Sequence, residues 1–282
     1  MTEHIVIGID GSEPSRSAIS WGMQRARATR SDVLLFHIVD DTFLSDSPVF
    51  IGEAREAAEK LMADEKAYAE GVEPEVKILT EITVGSPARE FQRVSANASL
   101  VVLGTHKGSK IPGMFFGTKG IKVAAVSQAP VAIIPVQQDS GRSGVVVGVD
   151  TSEASEKAVQ FAAAEADRTG QKLVAVYAWT PPVTPGLEYL WSEQLLSNQR
   201  EIAEEAMSIA LAGICEEYPD LVLEKKIVQA PPVSVLVTES KEARLLVVGN
   251  RGRSGITRLL LGSVSHGVLS NLQCPTIVAR TE

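Results

Sequence analysis

The chain has 282 residues and a formal net charge of −8, with 44% of its residues hydrophobic. That length gives room for two domains of ordinary size, and the apolar share lies well above the disordered range. The acidic balance argues against non-specific nucleic-acid binding, which needs a basic surface. No apolar stretch approaches the roughly 18 residues of a membrane span. The N-terminus carries no basic, apolar and small-residue succession of a secretion signal, so a cytoplasmic, membrane-free protein is expected. The only cysteines, Cys215 and Cys274, lack metal-type spacing and are expected in cores as small hydrophobes.

In chain order, Ile5 to Ile9 reads as a buried strand, followed by a turn at Asp10-Gly11-Ser12 and a helix opened by Pro14. Val33 to Val39 reads as a strand, Ala54 to Ala69 as an amphipathic helix and Val76 to Leu79 as a strand. Pro87 to Ala96 follows as a helix, Leu100 to Leu103 as a strand, Gly117 to Ser127 as a helix and Val131 to Ile134 as a final strand. The same succession then returns: Val145 to Val149, Glu153 to Arg168, Leu173 to Ala178, Glu193 to Glu217, Val222 to Val228, Val233 to Lys241, Leu245 to Val248, Gly262 to Leu272 and Thr276 to Ala279. Alternating strands and helices imply a parallel, doubly wound sheet in each half. Strands covered on both faces should be apolar throughout.

The repetition holds at the level of residues. Val6-Ile7-Gly8-Ile9-Asp10-Gly11-Ser12 returns as Val146-Val147-Gly148-Val149-Asp150-Thr151-Ser152, an offset of 140. Leu100 to Gly104 returns as Leu245 to Gly249, and Gly117-Thr118 as Gly262-Ser263, at an offset of 145. The extra five residues must enter between these blocks, and the loop after the second strand is one place for them. Two domains, 1–137 and 143–282, joined by a polar linker within Val136 to Gly144, are expected.

In an open parallel sheet, ligands bind beyond the carboxyl ends of the strands where the strand order reverses. The repeated polar and glycine residues fall at those ends. Copy two reads Gly249-x2-Gly252-x9-Gly262-Ser263. Glycines allow close backbone approach, and the start of the last helix offers free amides, the positive end of its dipole and the Ser263 hydroxyl. The loop between can wrap a polyphosphate, with Arg251, Arg253 or Arg258 as counter-charges. Two plainer readings stay open: Asp10 and Asp150 hold a turn or cap the next helix, and the glycines are packing positions. His4, His37 and His266 share no metal spacing and read as structural, His106 as a solvated loop residue, and the acidic run Glu53 to Glu70 as a solvated helix face.

This pattern resembles the universal stress protein family, whose nucleotide-binding members share Gly-x2-Gly-x9-Gly-Ser/Thr and an aspartate after the first strand. The resemblance covers both copies and nearly the whole chain. It implies two tandem doubly wound five-stranded parallel-sheet domains, Rossmann-like and similar to adenine nucleotide α-hydrolases. It further implies binding of ATP or a related adenine nucleotide, with Mg as a companion ion. Asp150 would then lie at the adenine or ribose end, and the backbone of Ala178 would contact adenine. Gly249, Gly252, Gly262, Ser263, Val264 and Ser265 would surround ribose and phosphates. The corresponding positions of copy one are Asp10, Ile38, Gly104, Gly117 and Thr118, but Lys107 stands where the second glycine belongs. The expected role is a stress-response sensor or regulator acting through nucleotide occupancy. The alternatives are a slow ATP hydrolase, for which no base beyond Asp150 is evident, and a ligand-free interaction scaffold. The family also implies a homodimer, together with pairing of the two copies within one chain through the final strands.

Overall fold

The computed structural model describes residues 4–40, 48–105, 116–136, 141–180, 193–252 and 261–280. Internal contacts divide the chain into unit 1, Met1 to Ser140, and unit 2, Gly141 to Thr281. Unit 1 runs β1 (His4–Gly8), α1 (Glu13–Thr29), β2 (Val33–Val39), α2 (Pro48–Val72), β3 (Ile78–Val84), α3 (Pro87–Ser95), β4 (Ala98–Thr105), α4 (Phe116–Val126) and β5 (Val131–Pro135). Unit 2 runs β6 (Val145–Gly148), α5 (Glu153–Arg168), β7 (Leu173–Trp179), α6 (Glu193–Ala210), α7 (Ile214–Glu217), β8 (Leu223–Gln229), α8 (Pro232–Glu239), β9 (Leu245–Gly249), α9 (Ser263–Ser270) and β10 (Thr276–Ala279).

Both units are parallel sheets with the same order, β3-β2-β1-β4-β5 in the first and β8-β7-β6-β9-β10 in the second. The pairing register repeats as well as the order. Ile5 faces Val33 as Val145 faces Leu173, and Val101 faces Val131 as Leu246 faces Thr276. Val33 faces Ile78 and Leu173 faces Leu223, so the five extra residues lie between β7 and β8.

The inner strands are apolar because helices cover both their faces: Ile5, Val6 and Ile7 in β1 and Val145, Val146 and Val147 in β6 are buried. The first helix of each unit presents one small, apolar face to them. Ala18, Ile19, Gly22, Met23 and Ala26 of α1 recur as Ala158, Val159, Ala162, Ala163 and Ala166 of α5, all buried. The spacing of i, i+1, i+4, i+5 and i+8 makes one helical stripe. Small side chains let the helix axis approach the sheet closely.

Four expectations are corrected. The outer strands are not apolar throughout: β3 carries Thr80 and Glu81, β8 carries Glu224, Lys225 and Lys226, and Leu79 and Val84 are exposed. A sheet margin has less to cover it, and charge there discourages further pairing. The single helix Glu193 to Glu217 is two, α6 and α7, separated at Gly213, whose φ of 81° breaks the helical path. Cys215 is exposed on α7, while Cys274 is buried. Glu65, within the acidic run of α2, is buried and ion-paired to Arg16 of α1 at 3.0 Å. No helix among the described residues is long and apolar enough to cross a membrane.

Candidate functional site

In each unit the chain leaves β1 (β6) to one side, towards β2 (β7), and returns on the other side through β4 (β9). The reversal point is therefore the cleft beyond the C-terminal ends of β6 and β9 in unit 2, and of β1 and β4 in unit 1.

The β6 side of the cleft is built by Asp150. Its Oδ1 accepts hydrogen bonds from the Ser152 backbone N–H at 2.8 Å and from the Ser152 hydroxyl at 2.5 Å. Ser152 in turn caps α5 by accepting from the Ser155 N–H, and the Ser155 hydroxyl accepts from the Asp150 N–H at 2.8 Å. Asp10, Ser12 and Ser15 form the same closed set in front of α1. The aspartate thus holds a turn, and the serine two residues on is the cap. Only Oδ1 is used in this way. Oδ2 of Asp150 is turned to the β9 side, where a Cβ added to Gly252 would lie 2.9 Å from it.

The β9 side begins at Gly249. Here the absence of a side chain serves packing: a Cβ would lie 2.7 Å from the Ala154 carbonyl oxygen at the start of α5. The equivalent Gly104 would meet the Pro14 carbonyl oxygen at 2.0 Å. At these two positions close helix–strand contact by itself requires the missing side chain. Asn250, buried, follows. Its N–H donates to the Ala279 carbonyl at 2.9 Å, and its carbonyl accepts from the Gly262 N–H at 2.8 Å. Its Oδ1 has no hydrogen-bond partner among the described residues. Ser265 is also committed to the protein: it is buried and its hydroxyl donates to the Gly249 carbonyl, tying α9 to β9.

Gly262 is the extended N-cap of α9 and provides no side-chain cap. The N–H groups of Ser263 and Val264 in the first turn, and that of Gly252, meet no acceptor among the described residues. Ser263 is exposed and Val264 half-buried. Free first-turn amides at the positive end of a helix are the ordinary physical basis for holding an anion.

The structure therefore brings Asp150, Gly252, Gly262, Ser263 and Val264 to one cleft. Ala178 and Ile38 stand half-buried near the C-terminal ends of β7 and β2, one strand out from the aspartate's strand. Gly117 and Thr118 open α4, but their side chains, like His106, Lys107, Arg253 and Arg258, lie outside the described residues. His37 has a structural contact, with Nδ1 2.8 Å from the Ile9 carbonyl oxygen.

The model of the universal stress protein family matches residues 1–135 and again residues 142–280. The chain belongs to the universal stress protein family. Among its relatives, universal stress protein Rv2005c of Mycobacterium tuberculosis is 31% identical over 291 residues, covering 98% of this chain and 96% of its own. A universal stress protein of Mycolicibacterium smegmatis is 30% identical over 296 residues, with the same coverage. A crystal structure of a universal stress protein from Archaeoglobus fulgidus shares the fold at a TM-score of 0.73 and 20% identity, covering 98% of each chain.

One residue of the cleft is silent in the family's glycine pattern. Arg280 follows β10 directly and is half-buried. Burial pulls the pKa of its guanidinium below the ordinary value, and the neighbouring charge of Arg251 pulls it further. The β9–β10 register is the only signal that brings these two arginines together, and it follows from the constant spacing of β4 and β5 repeated in β9 and β10.

Proposed function

We propose that unit 2 binds an adenine nucleotide and that its occupancy is the signal this universal stress protein contributes to a stress response. The phosphates rest on the first turn of α9, at the N–H groups of Ser263 and Val264. The ribose lies between Asp150 Oδ2 and Gly252, and adenine lies against the backbone of Ala178. The observation that carries this reading is the set of N–H groups at Gly252, Ser263 and Val264, which meet no acceptor among the described residues, at the positive end of α9. Among the described residues no group of three or more His, Cys, Asp or Glu could hold a metal, so magnesium would enter on the phosphates.

Thermal unfolding of the full chain with ATP, ADP and AMP tests it. A ligand at about a hundred times its dissociation constant stabilises the fold by about 2.7 kcal/mol. Gly252→Val places side-chain atoms against Asp150 and should remove the shift, with the unliganded midpoint somewhat lowered because Asp150 Oδ2 must move to admit a Cβ 2.9 Å from it. A chain that no adenine nucleotide shifts is a scaffold, and a shift that survives Gly252→Val places the nucleotide elsewhere. Hydrolysis is the weaker alternative, since Asp150 Oδ1 is already engaged by Ser152. Time-dependent ADP release abolished by Asp150→Ala would reinstate it.

A further inference from the structure

We propose that α6 is a detachable helix, able to lift from unit 2 by local opening, whereas its counterpart α2 is tied down in unit 1. The inference stands apart from the nucleotide reading above.

In unit 1 the ties run along one side of α1. Arg16 bonds the Oε1 of Glu65 on α2 through Nε and a terminal nitrogen, both at 3.0 Å. One turn on, the Ser20 and Tyr68 hydroxyls lie 2.9 Å apart, and the Arg16 guanidinium stands 5.2 Å from the centre of the Tyr68 ring. Arg27 pairs with Glu73, the residue after α2, at 3.0 Å. Ahead of α1, Leu61 of α2 lies against the turn that follows β1: a Cβ on Gly11 would meet its Cδ1 at 2.8 Å. Arg27 is exposed, so its pair adds little. The weight falls on Leu61, Glu65 and Tyr68, which meet α1 and its turn at three successive points.

The repeat gives the matching positions in unit 2, at an offset of 140 for α1 and 145 for α2. The second offset is supported by burial, since Ala58, Met62 and Ala69 of α2 fall on Ala203, Met207 and Ile214, all six buried. Arg16 and Glu65 become Glu156 and Ala210, Ser20 and Tyr68 become Gln160 and Gly213, and Leu61 becomes Ala206. Glu156 and Gln160 are exposed. Neither polar tie can form from these residues, and alanine reaches less far than leucine. The helix also stops short. α6 ends at Ala210 and the φ of 81° at Gly213 follows, whereas α2 runs on unbroken to Val72.

The inward face of α6, with Ala203, Ala206 and Met207, packs towards β7 and β8. Its larger apolar residues, Ile202 and Ile209, are exposed and hold nothing in the unit. Elements open locally according to the contacts that hold them, and α6 has lost the set that fixes α2. Unit 2 thereby has a movable element that unit 1 lacks, joined in sequence to β7, the strand that carries Ala178.

Hydrogen–deuterium exchange of the full chain, followed by mass spectrometry on peptides from α2 and α6, tests the proposal. After correction for intrinsic rates, the amides of α6 should exchange about tenfold faster than those of the matching stretch of α2. Glu156→Arg with Ala210→Glu moves the Arg16–Glu65 pair into unit 2 and should slow exchange in α6 about threefold. Tyr68→Phe with Ser20→Ala removes one tie without stranding the Glu65 carboxyl, and should speed exchange in α2 about threefold with α6 unchanged. Equal protection of the two helices, or an α6 that exchanges only as slowly as the inner strands, overturns the detachable helix. A fast α6 that the grafted pair does not slow overturns the missing ties as its cause.

Discussion

Unit 1 ends its last strand on Pro135, and unit 2 ends the equivalent strand with Ala279 followed by Arg280, although the inner strands of the two pair in the same register. The first helices bury the same seven positions, and both are capped by the same aspartate–serine–serine set. What diverges in sequence comes after Gly104 and Gly249: Thr105, His106 and Lys107 stand where unit 2 has Asn250, Arg251 and Gly252. Positions that fill the space between helix and sheet admit little change, because close-packed interiors respond to single methylene groups. Positions in the connections carry less of that packing and are freer to separate. Conservation between the copies therefore mixes two causes, packing and binding, which substitutions can pull apart.

Gly104 and Gly249 give the largest effect. Both belong to the family's ligand pattern, yet each lies against a helix backbone rather than in open space. Gly104→Ala forces its Cβ to within 2.0 Å of the Pro14 carbonyl oxygen, and Gly249→Ala to within 2.7 Å of the Ala154 carbonyl oxygen. Neither helix start yields easily, since the caps hold both. Urea unfolding of the full chain without nucleotide should show a loss of about 3 kcal/mol for Gly104→Ala and a smaller one for Gly249→Ala, in the range of over-packed cores. Wild-type stability in both variants would mean that these glycines are kept for a ligand and not for the helix.

A second contrast exists in unit 1 alone. Glu65 of α2 is 2% exposed, and both Nε and a terminal nitrogen of Arg16 approach its Oε1 at 3.0 Å, while Oε2 has no hydrogen-bond partner among the described residues. The position equivalent to Arg16 in α5 is Glu156, which is exposed. Arg16→Met leaves the buried Glu65 carboxyl without its partner and should lower the urea midpoint; Arg16 is half in water, so the loss is smaller than for a fully buried pair. Glu156→Met, the matched change in unit 2, should stay within about 0.5 kcal/mol of wild type. Equal effects of the two would show that the Arg16–Glu65 pair adds nothing to stability.

The inner strands were legible because burial on both faces leaves an uninterrupted apolar run. The strand read as Val76 to Leu79 proved to be Ile78–Val84 because, at a margin, Thr80 and Glu81 interrupt that signal. Gly213 was visible, but an isolated glycine within a helical pattern does not say by itself whether the helix breaks. For Cys215, the neighbouring Glu216 and Glu217 were a better guide than the thiol's own apolar character. In the cleft, the meeting of Asp150 with the glycine loop could be read from the duplicated motif and the rule for strand order. The packing duty of Gly249, the burial of Asn250 and the placement of Arg280 depend on which strand lies beside which and how closely a helix approaches. Linear spacing does not contain those distances.

The smallest effect comes from the end of the first helix, where the two units solve one problem with different residues. Both helices close with a left-handed residue: Arg30 at φ 55° in unit 1 and Gly170 at φ 60° in unit 2. The following N–H reaches back to the equivalent carbonyl in each, Ser31 to Ala26 at 2.9 Å and Gln171 to Ala166 at 2.8 Å. Glycine adopts this conformation without the steric cost that a Cβ imposes, whereas its greater freedom in the unfolded chain offsets part of that gain. Arg30 is exposed, so its side chain has little packing to lose. Arg30→Gly should therefore stabilise the chain by about 1 kcal/mol, and Gly170→Arg should destabilise it by a similar amount, both read from urea midpoints. Opposite signs in the two substitutions would trace the difference to the backbone angle itself. Destabilisation by both would trace it to the Arg30 side chain, and the two helix ends would then not be equivalent.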